Sequence, residues 1–275
     1  MSTPAIVVDG LTKTFSGHGR HKVTALDNIS LTVERGSCLA VVGESGSGKT
    51  TLARIIVGLE TADSGTVMLN GNPVAERASR RELHRRAREI QMVFQDPQSS
   101  FNRRLRVSTA VDEVLRAHTS LDARERRDRC VELFELVGLE SRQLDALPGE
   151  LSGGQRQRVA IARALAADPS VIVLDESVAA LDVTVQGQIL KLLAELRAAK
   201  NLSYVFITHD LSVVQMVADQ IVVMHRGAIV ERGATAEVLG NPRHAYTQLL
   251  LACVPRPGWK PQRGLIRAFR EKIAS

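Results

Sequence analysis

The sequence predicts an α/β fold built on a mostly parallel sheet, and three observations lead to this prediction. Between residues 164 and 240, short β-branched runs alternate with helical patterns, as they do in parallel strand–helix–strand units. An apolar run, SCLAVVG, leads directly into a glycine-rich loop and a helical pattern. Between these two stretches lies a segment whose apolar residues recur with helical spacing. We therefore expect a parallel-sheet core that carries an inserted helical subdomain.

The first 75 residues favour short strands joined by turns. The runs AIVVDGL, ALDNISLTV and GTVMLNG are rich in apolar and β-branched residues, and Gly or Asn-Gly separates them. The fourth run, SCLAVVG, differs because an apolar pattern of helical period begins soon after it, at Leu52. This N-terminal region is thus predicted to combine a β-rich part with the first strand and helix of the core.

From about Phe94 to Arg163 the pattern is helical. VSTAVDEVLRAH and ERRDRCVELFELVGL carry apolar residues at positions i, i+3, i+4 and i+7. Ser152 precedes a third helical run, GGQRQRVAIARALAAD, where a serine side chain can cap the helix. These three runs predict the inserted helical subdomain.

The following part of the chain returns to alternating strands and helices. SVIVLDE and LSYVFITHD are predicted strands, VTVQGQILKLLAELRAAK a helix and DQIVVMHRGAIVERG a hairpin. Polar residues follow the strands after Val42, Leu174 and Ile207. Because the carboxyl ends of parallel strands line the ligand crevice of an open α/β sheet, these three polar tips are predicted to converge on one site.

Composition limits the class of protein. The chain has 275 residues, of which 44% are hydrophobic and 24% are charged, as is typical of a globular protein with a substantial core. No apolar run approaches the roughly 18 residues that cross a bilayer, and the N-terminus has neither a basic leader nor a long apolar stretch. We expect the chain to stay in the cytosol. The cysteines Cys38, Cys130 and Cys253 lack metal-site spacing and are expected to be free thiols.

The net charge of +6 and the pI of about 9.6 are compatible with acidic partners. An aromatic content of only 3% argues against single-stranded nucleic acid, which is bound by base stacking, and we expect no nucleic-acid partner. Six arginines lie in residues 76–89 at roughly helical spacing. This segment has two interpretations: a solvated helix face with interspersed Glu partners, or a surface close to lipid headgroups or a membrane partner.

GESGSGKT, residues 43–50, fits the phosphate-loop pattern GxxxxGK[ST] without a mismatch. Gly43, Gly46 and Gly48 allow the tight turn that directs successive N–H groups at a β-phosphate at a helix N-terminus. Lys49 adds positive charge toward the β- and γ-phosphates, and Thr50 offers a hydroxyl to Mg²⁺. The loop predicts a nucleoside triphosphate with Mg²⁺ as the bound species.

Asp175 and Glu176 close the strand SVIVLDE. An Asp in this place holds the magnesium shell of phosphate-loop enzymes, and an adjacent Glu can deprotonate or orient the attacking water. Taken alone, such a pair is often only a solvated strand end. With the phosphate loop present, the pair predicts hydrolysis of the nucleotide.

The order of the motifs along the chain resembles the nucleotide-binding subunit of ATP-binding cassette (ABC) transporters. The order is the phosphate loop, VFQDP, LSGGQ, VIVLDE, ALD and ITHD, and it covers nearly the whole chain. The resemblance implies a phosphate-loop NTPase fold with a RecA-like parallel core, an antiparallel β subdomain and an inserted helical subdomain. It divides the chain into a core part with the β subdomain (1–93), a helical signature subdomain (94–163), a second core part (164–240) and a C-terminal extension (241–275).

The resemblance also implies a role for individual residues. Glu176 matches the general base, and His209 the switch residue that holds the γ-phosphate and Glu176. Gln95 matches the residue that contacts Mg²⁺ and the attacking water and reports to the membrane subunit. Phe15 matches the aromatic that stacks on adenine, although it could instead be a core phenylalanine. The implied nucleotide-binding positions are Gly43, Ser45, Gly46, Gly48, Lys49, Thr50, Thr51, Ser152, Gly153, Gly154, Gln155 and Asp182, and the implied metal-binding positions are Thr50, Gln95 and Asp175.

LSGGQ, residues 151–155, raises the question of why one nucleotide site needs a second glycine cluster. Ser152, Gly153 and Gly154 begin a predicted helix, so they offer a hydroxyl, exposed amides and a positive dipole end to a γ-phosphate. In the resembled family this face closes over ATP bound to the opposite subunit. The resemblance therefore implies a second ATPase subunit, in a head-to-tail pair that holds two ATP molecules.

Two positions after the carboxylates depart from the family pattern DEPxSALD, because this chain reads DESVAALD. Ser177 replaces the usual proline, which costs about 0.4 to 1 kcal/mol where the geometry suits proline. Ala179 replaces a serine and cannot form a hydroxyl hydrogen bond across the dimer, which is typically worth about 0.5 to 1.5 kcal/mol. We expect a weaker closed dimer and slower turnover, without loss of activity.

The tail NPRHAYTQLLLACVP is similar to the C-terminal motif of the peptide and nickel importer subgroup. The resemblance implies import of dipeptides or oligopeptides through two separate permease subunits, with an extracytoplasmic binding protein acting indirectly. It places the chain at the cytoplasmic face of the membrane. Some members of the subgroup carry an iron–sulfur cluster in a cysteine-rich tail, so the resemblance implies that this chain is the cluster-free partner of a heterodimer, or forms a homodimer. Import of nickel or a metal chelate is the alternative, and an exporter or a soluble ABC ATPase of DNA repair or translation is less favoured. His244 and Tyr246 either pack the last helix or make direct contacts.

Overall fold

The computed structural model describes residues 3–16, 22–74, 79–96 and 100–254. Parts of four sequence predictions lie outside these residues: positions 76–78 of the arginine-rich segment, Pro97 of VFQDP with the two positions after it, Pro255 of the tail motif, and the extension after residue 254. The described strands and helices follow one another in this order: β1 (Ile6–Ser16), β2 (Lys22–Val33), β3 (Cys38–Val42), α1 (Lys49–Val57), β4 (Ser64–Leu69), β5 (Asn72–Pro73), α2 (Arg80–Glu89), β6 (Ile90–Val93), α3 (Val107–His118), α4 (Ala123–Leu136), α5 (Gly153–Leu165), β7 (Val171–Asp175), α6 (Val183–Lys200), β8 (Ser203–Thr208), α7 (Leu211–Val217), β9 (Gln220–His225), β10 (Ala228–Ala234), α8 (Thr235–Gly240) and α9 (Ala245–Ala252).

The core is a six-stranded sheet in the order β10-β9-β3-β8-β7-β6. Its neighbours from β9 to β6 are parallel, and β10 runs antiparallel to β9. Every residue of β3, β7 and β8 is buried, because both faces of this sheet are covered. Alternate residues of β7 and β8 therefore pack into two different hydrophobic clusters. The predicted α/β class with a parallel sheet is confirmed.

A second sheet has four antiparallel strands in the order β2-β1-β4-β5. The apolar face of this sheet packs in one hydrophobic cluster with α1 and with one face of the core sheet. The cluster includes Leu52 of α1, Val173 of β7 and Ile207 of β8. The antiparallel β subdomain implied by the resemblance is thus present. It lies against the same face of the core sheet as α1.

The helical subdomain packs α3, α4 and α5 around Val111, Leu133 and Val159. Asp122 accepts hydrogen bonds from the Arg124 and Glu125 amides, and its own N–H donates to the Glu125 carboxylate, so that a capping box begins α4. Two 3₁₀ turns, Ser141–Asp145 and Pro148–Glu150, lead to α5. The inserted helical subdomain is confirmed.

One strand of the core sheet and two short helices were absent from the sequence prediction. β6 forms the edge of the core sheet beside β7, with Val93 opposite Leu174. It is four residues long and follows the arginine-rich helix α2 without a turn, so a period-2 pattern could not be recognised. The short helices α7 and α8 each fill the space after a strand of the core.

The arginine-rich segment forms α2, capped by Ser79 in a capping box with Glu82. Its side chains are partly exposed, and Arg85 pairs with Glu89 one turn later. His84 Nε2 lies 2.6 Å from the Ala117 carbonyl oxygen, which ties α2 to the end of α3. The described cysteines are free thiols, as predicted, and Cys38 and Cys130 are buried. Among the described residues, no helix combines the length and apolar character that a membrane span needs.

Candidate nucleotide-binding site

Residues 43–48 form a loop after the buried strand β3, and residues 49 and 50 begin the first turn of α1. Gly46 has a φ of 81° and Gly48 a φ of 103°, in the left-handed region that side chains strongly disfavour. A Cβ at Gly48 would lie 2.2 Å from the Ala25 carbonyl oxygen, so that the loop also passes too close to β2 for a larger residue. The backbone thus adopts the tight turn that the motif predicted. Ser45 lies exposed in this loop, and Thr51 lies half-buried in the first turn of α1.

Lys49 is the first residue of α1, and only 4% of its surface is exposed. Its Nζ donates hydrogen bonds of 2.8 Å to the carbonyl oxygens of Gly43 and Glu44, at the start of the same loop. Burial lowers the pKa of the Lys49 ammonium, and the carboxylates of Glu176 and Asp175 oppose that effect. The ammonium is therefore held inside the curve of the loop.

The hydroxyl of Thr50 donates to Asp175 Oδ1 at 3.4 Å. Asp175 ends β7 and is 5% exposed. Burial, together with the neighbouring Glu176, raises the pKa of the Asp175 carboxyl. A buried carboxylate that lies beside a hydroxyl and is poorly solvated is suited to a cation that would neutralise it.

The donor atoms near Asp175 fit Mg²⁺. Thr50, Asp175 and Gln95 offer hydroxyl, carboxylate and amide oxygens, which are the hard ligands that Mg²⁺ prefers. Within the described ranges, no group of three or more His, Cys, Asp or Glu side chains could hold a metal. Mg²⁺ commonly uses one or two carboxylates and completes its shell with phosphates and waters, so the small donor set agrees with a nucleotide-bound ion.

Glu176 lies between Gln95 and His209. Gln95 Nε2 donates to Glu176 Oε2 at 2.9 Å, and His209 Nδ1 lies 3.4 Å from Glu176 Oε1. The Glu176 backbone has a φ of 45°, which is rare for a residue with a side chain, and its N–H donates to the Ile207 carbonyl oxygen. Such strain is common at functional positions, and here it directs the carboxylate between side chains from two other strand ends.

The polar strand tips converge, as the sequence predicted, and a fourth tip joins them. Val42 pairs with Thr208, and Asp175 pairs with Ile207, so the ends of β3, β7 and β8 are aligned in register. Gln95 follows the end of β6, the strand that the sequence prediction lacked. The sheet therefore explains why a residue 81 positions before Glu176 contacts it.

Phe15 lies near the end of β1 and is 39% exposed, which excludes the alternative of a core phenylalanine. The Lys13 ammonium lies 5.1 Å from the centre of its ring. Lys13 in turn pairs with Glu60 at 2.9 Å. A half-exposed ring on a rigid strand is available for stacking on a planar ligand.

Ser152 caps α5 through a capping box: its hydroxyl accepts from the Gln155 N–H, and the Gln155 side chain accepts from the Ser152 N–H. A Cβ at Gly154 would lie 2.5 Å from Val185 Cγ1, whereas one at Gly153 would only touch Leu181, at 3.4 Å. Gly154 thus allows α5 to pack against the start of α6. Ser152 is exposed at the positive end of α5.

Asp182 caps α6 by accepting a hydrogen bond from the Val185 N–H at 2.9 Å. The resemblance assigned Asp182 to nucleotide binding. In the nucleotide-free chain its carboxylate caps α6. Of the two departures from the family pattern, Ala179 is exposed and Ser177 is 3% exposed. The Ser177 hydroxyl has no hydrogen-bond partner among the described residues.

A cavity of about 1120 Å³ borders the phosphate loop, Glu176 and His209. Its lining also includes His225 at the end of β9 and Tyr246 and Leu250 on α9. Tyr246 is 1% exposed, and its hydroxyl accepts a hydrogen bond of 3.0 Å from the Glu44 N–H. In the structure Tyr246 packs α9 against the core and also contacts the phosphate loop of its own chain. No local pattern indicated this contact, because 202 residues separate the two positions.

Comparisons with known proteins agree with this geometry. The family model described as ABC transporter matches residues 26–179, and the model described as the C-terminal region of oligopeptide/dipeptide transporters matches residues 230–272. The dipeptide transport ATP-binding protein DppF of Haemophilus influenzae is 46% identical over 235 residues, which cover 86% of this chain and 72% of that protein. The oligopeptide transport ATP-binding protein OppF of Streptococcus pyogenes is 43% identical over 258 residues, which cover 94% and 84%.

Two solved structures are similar in fold. The dimeric ATP-binding cassette MJ0796, in a post-hydrolysis state with ADP and Pi, has a TM-score of 0.76 and 30% identity, covering 84% of this chain and 98% of that one. CbiO1 of Clostridium perfringens, part of the cbiONQ transporter complex, has a TM-score of 0.77 and 30% identity, covering 87% and 92%. Both likenesses extend over nearly the whole of the other chain.

Proposed function

The chain belongs to the ABC transporter family, and we propose that it is the subunit whose ATP hydrolysis powers import of dipeptides or oligopeptides through separate permease subunits. The observation that carries the substrate class is the pair of family matches, since the second one covers residues 230–272 with the oligopeptide/dipeptide transporter C-terminal region. The relatives described above are named for dipeptide and oligopeptide transport, which favours peptides over nickel as the cargo.

In this proposal ATP binds by its phosphates at the N-terminus of α1. The backbone amides of residues 45–50 surround the β-phosphate, and Lys49 exchanges its bonds to the Gly43 and Glu44 carbonyls for phosphate oxygens. Phe15 stacks on the adenine. Mg²⁺, when bound with ATP, neutralises phosphate charge, and Thr50 and Asp175 are the residues that would hold it together with Gln95.

Glu176 then removes a proton from the water that attacks the γ-phosphate. Gln95 holds one carboxylate oxygen of Glu176 and His209 lies beside the other, so the carboxylate cannot rotate away from the water. Such orientation of a general base is worth more than its basicity alone, because hydrolysis of a phosphate depends mainly on position and charge. His209, with 58% of its side chain exposed, can also reach the γ-phosphate.

The second half of each site comes from another ATPase chain, either a different subunit or another copy. Ser152 is exposed at the N-terminus of α5, and its hydroxyl and the positive end of the helix bind the γ-phosphate of ATP held by the partner. ATP therefore joins two chains, and its hydrolysis lets them part. MJ0796 is itself described as dimeric with ADP and Pi bound, which supports this arrangement by likeness.

A groove beside Gln95 supports transfer of this motion to permease subunits. A cavity of about 830 Å³ lies between α1, α2 and the helical subdomain, and Phe94 and Phe101 line it. Leu83 and Leu105 on its walls are 46% and 42% exposed, so part of this apolar surface is open to a partner. We place a permease segment in this groove, which sets the chain at the cytoplasmic face of a membrane as a peripheral subunit.

Uptake measurements test the proposal. Cells whose only change is Lys49→Ala in this chain are compared with cells that carry Lys191→Ala, a lysine on α6 with 79% of its side chain exposed. Labelled dipeptides, longer peptides and nickel are offered side by side, and immunoblots check that both variants are present. We expect peptide uptake to collapse in Lys49→Ala cells alone. Loss of nickel uptake with peptide uptake intact would show that the transported substrate is a metal and not a peptide. Unchanged uptake of all three substrates would contradict the proposal that the chain powers an importer.

A further inference from the structure

The last described helix, α9, is attached to the phosphate loop. Tyr246 lies in its first turn, and the phenol ring packs on His225 at a centroid distance of 4.0 Å. Its hydroxyl accepts the Glu44 N–H at 3.0 Å, and the side chain is almost completely buried. This contact joins the C-terminal region, matched from residue 230 onward, to the second residue of the phosphate loop.

α9 is itself fixed in position. The carboxylate of Glu231 on β10 accepts the backbone N–H groups of Arg243 and His244, at 2.7 and 3.1 Å. His244 Nδ1 accepts the Tyr246 N–H and so caps α9. Tyr246 therefore reaches Glu44 from a rigid support, and the contact does not depend on a freely rotating side chain.

The loop segment that Tyr246 contacts is the one that holds Lys49. The Gly43 and Glu44 carbonyl oxygens accept from Lys49 Nζ on one side, while the Glu44 N–H donates to Tyr246 on the other. Without the phenol oxygen this amide would lack its protein acceptor, and the entry to the loop would gain conformational freedom. Binding of a phosphate group would then have to order the loop, which weakens affinity.

We propose that Tyr246 is a positioning residue that holds the entry of the phosphate loop, so that the C-terminal region sets the affinity of its own chain for ATP. This inference rests on the proposed function, because it assumes that the loop binds ATP. Tyr246 reaches the nucleotide only through the backbone of Glu44 and has no part in proton transfer.

The proposal predicts which kinetic constant changes. The loop holds the β-phosphate in the ground state and in the transition state alike. A looser loop therefore weakens binding of the ground state and of the transition state to the same extent. Tyr246→Phe should raise the Kd and KM for ATP about two- to tenfold, the range expected for loss of one hydrogen bond, and leave kcat unchanged. A residue that only stabilises the fold would instead lower the melting temperature and the active fraction.

The test compares Tyr246→Phe with Tyr204→Phe in the full chain and in the assembled transporter. Tyr204 is also buried, and its hydroxyl donates to the Leu193 carbonyl oxygen in the helix–sheet core, away from the loop. Both variants lose one buried phenol oxygen and one hydrogen bond to the backbone. Nucleotide titration gives Kd, ATP hydrolysis by the complex gives KM and kcat, and thermal unfolding gives the loss of stability.

Hydrogen exchange at the Glu44 amide provides a readout that does not depend on activity. We expect faster exchange in Tyr246→Phe and wild-type exchange in Tyr204→Phe. Glu231→Gln, which weakens the attachment of α9 without touching Tyr246, should shift KM in the same direction by a smaller factor. This variant keeps the proposal testable if Tyr246→Phe folds poorly.

The possible results separate this inference from the proposed function. A raised KM with unchanged kcat in Tyr246→Phe alone supports the positioning role. Equal KM and Glu44 exchange in wild type and Tyr246→Phe would overturn it, as would a matching KM change in Tyr204→Phe. If wild-type protein failed to bind ATP, the proposed function itself would be wrong, and this inference would fall with it.

Discussion

The phosphate loop and the LSGGQ segment are both glycine-bearing loops at a helix N-terminus, yet the chain surrounds them differently. The phosphate loop turns through left-handed glycines and is held by Lys49 and Tyr246 of its own chain. In the LSGGQ segment, Gly153 and Gly154 are helical, and Ser152 is exposed at the surface of the helical subdomain. The first loop is completed inside the chain, whereas the second leaves Ser152 exposed at the N-terminus of α5, where a partner could reach it.

The largest expected effect is on ATP hydrolysis at the site formed by the phosphate loop. Glu176→Gln keeps the shape of the side chain but removes the proton acceptor, and loss of general-base catalysis should reduce ATP hydrolysis about 10²- to 10⁴-fold. ATP binding should persist, because the phosphate loop is unchanged. Phosphate release by the assembled complex, alongside nucleotide binding, measures both. Hydrolysis at more than half the wild-type rate would mean that another residue is the base.

The glycines of the second loop should differ from one another in stability. Gly154→Ala places a Cβ 2.5 Å from Val185 Cγ1, and overpacking of this kind typically costs about 1 to 3 kcal/mol. Gly153→Ala meets Leu181 at only 3.4 Å and should cost little. Urea unfolding of the nucleotide-free chain compares the two. Equal stability of both variants would show that the approach of α5 to α6 does not require a glycine.

Asp175 offers a smaller, pH-dependent test of the first site. Burial and Glu176 raise the pKa of Asp175, while Arg54 and Lys49 oppose that shift, so the charged carboxylate destabilises the folded chain at pH 7. Asp175→Asn should therefore raise the melting temperature by a few degrees at pH 7 in chelator, although it removes a proposed Mg²⁺ ligand.

The sign of the pH effect follows from linkage. Because the folded-state pKa of Asp175 is raised, its contribution favours folding below the unfolded pKa of about 3.9 and is lost as pH rises through the folded pKa. The advantage of Asp175→Asn should thus vanish at acidic pH. The exposed Asp128→Asn serves as the control. A lower melting temperature for Asp175→Asn at pH 7 would contradict the argument.

The smallest effect concerns the departure at residue 179. Ala179→Ser restores the hydroxyl of the family pattern at an exposed position, and one hydrogen bond across the dimer should raise ATP hydrolysis by the complex a few-fold. The free chain should gain no stability, because no contact inside the chain is expected. An unchanged rate in the assembled complex would remove the idea that this position weakens the closed dimer.

Local patterns were sufficient to predict the strand–loop–helix of the phosphate loop, the buried strand before Asp175 and the cap at Ser152. These features depend on residues adjacent in sequence. The pattern did not predict β6, because four residues between an arginine-rich helix and a loop carry too little periodicity. Nor did it predict the contact of Tyr246 with Glu44, which depends on how the end of the chain folds back over the core. The resemblance assigned Asp182 to the nucleotide, whereas only the structure identified its capping of α6.

The central claim is that LSGGQ serves the nucleotide of another chain. Sedimentation of the Glu176→Gln chain with its partner ATPase chain, with and without ATP, tests it most directly, using Ser152→Arg as the disrupting change. Asp122→Arg is the matched control, because Asp122 also caps a helix of the same subdomain. We predict that ATP induces dimers, that Ser152→Arg abolishes them while ATP affinity of the single chain stays within about twofold, and that Asp122→Arg does neither. If Ser152→Arg weakened ATP binding by the single chain as strongly as it weakened dimer formation, LSGGQ would belong to the nucleotide site of its own chain. That result would contradict the claim.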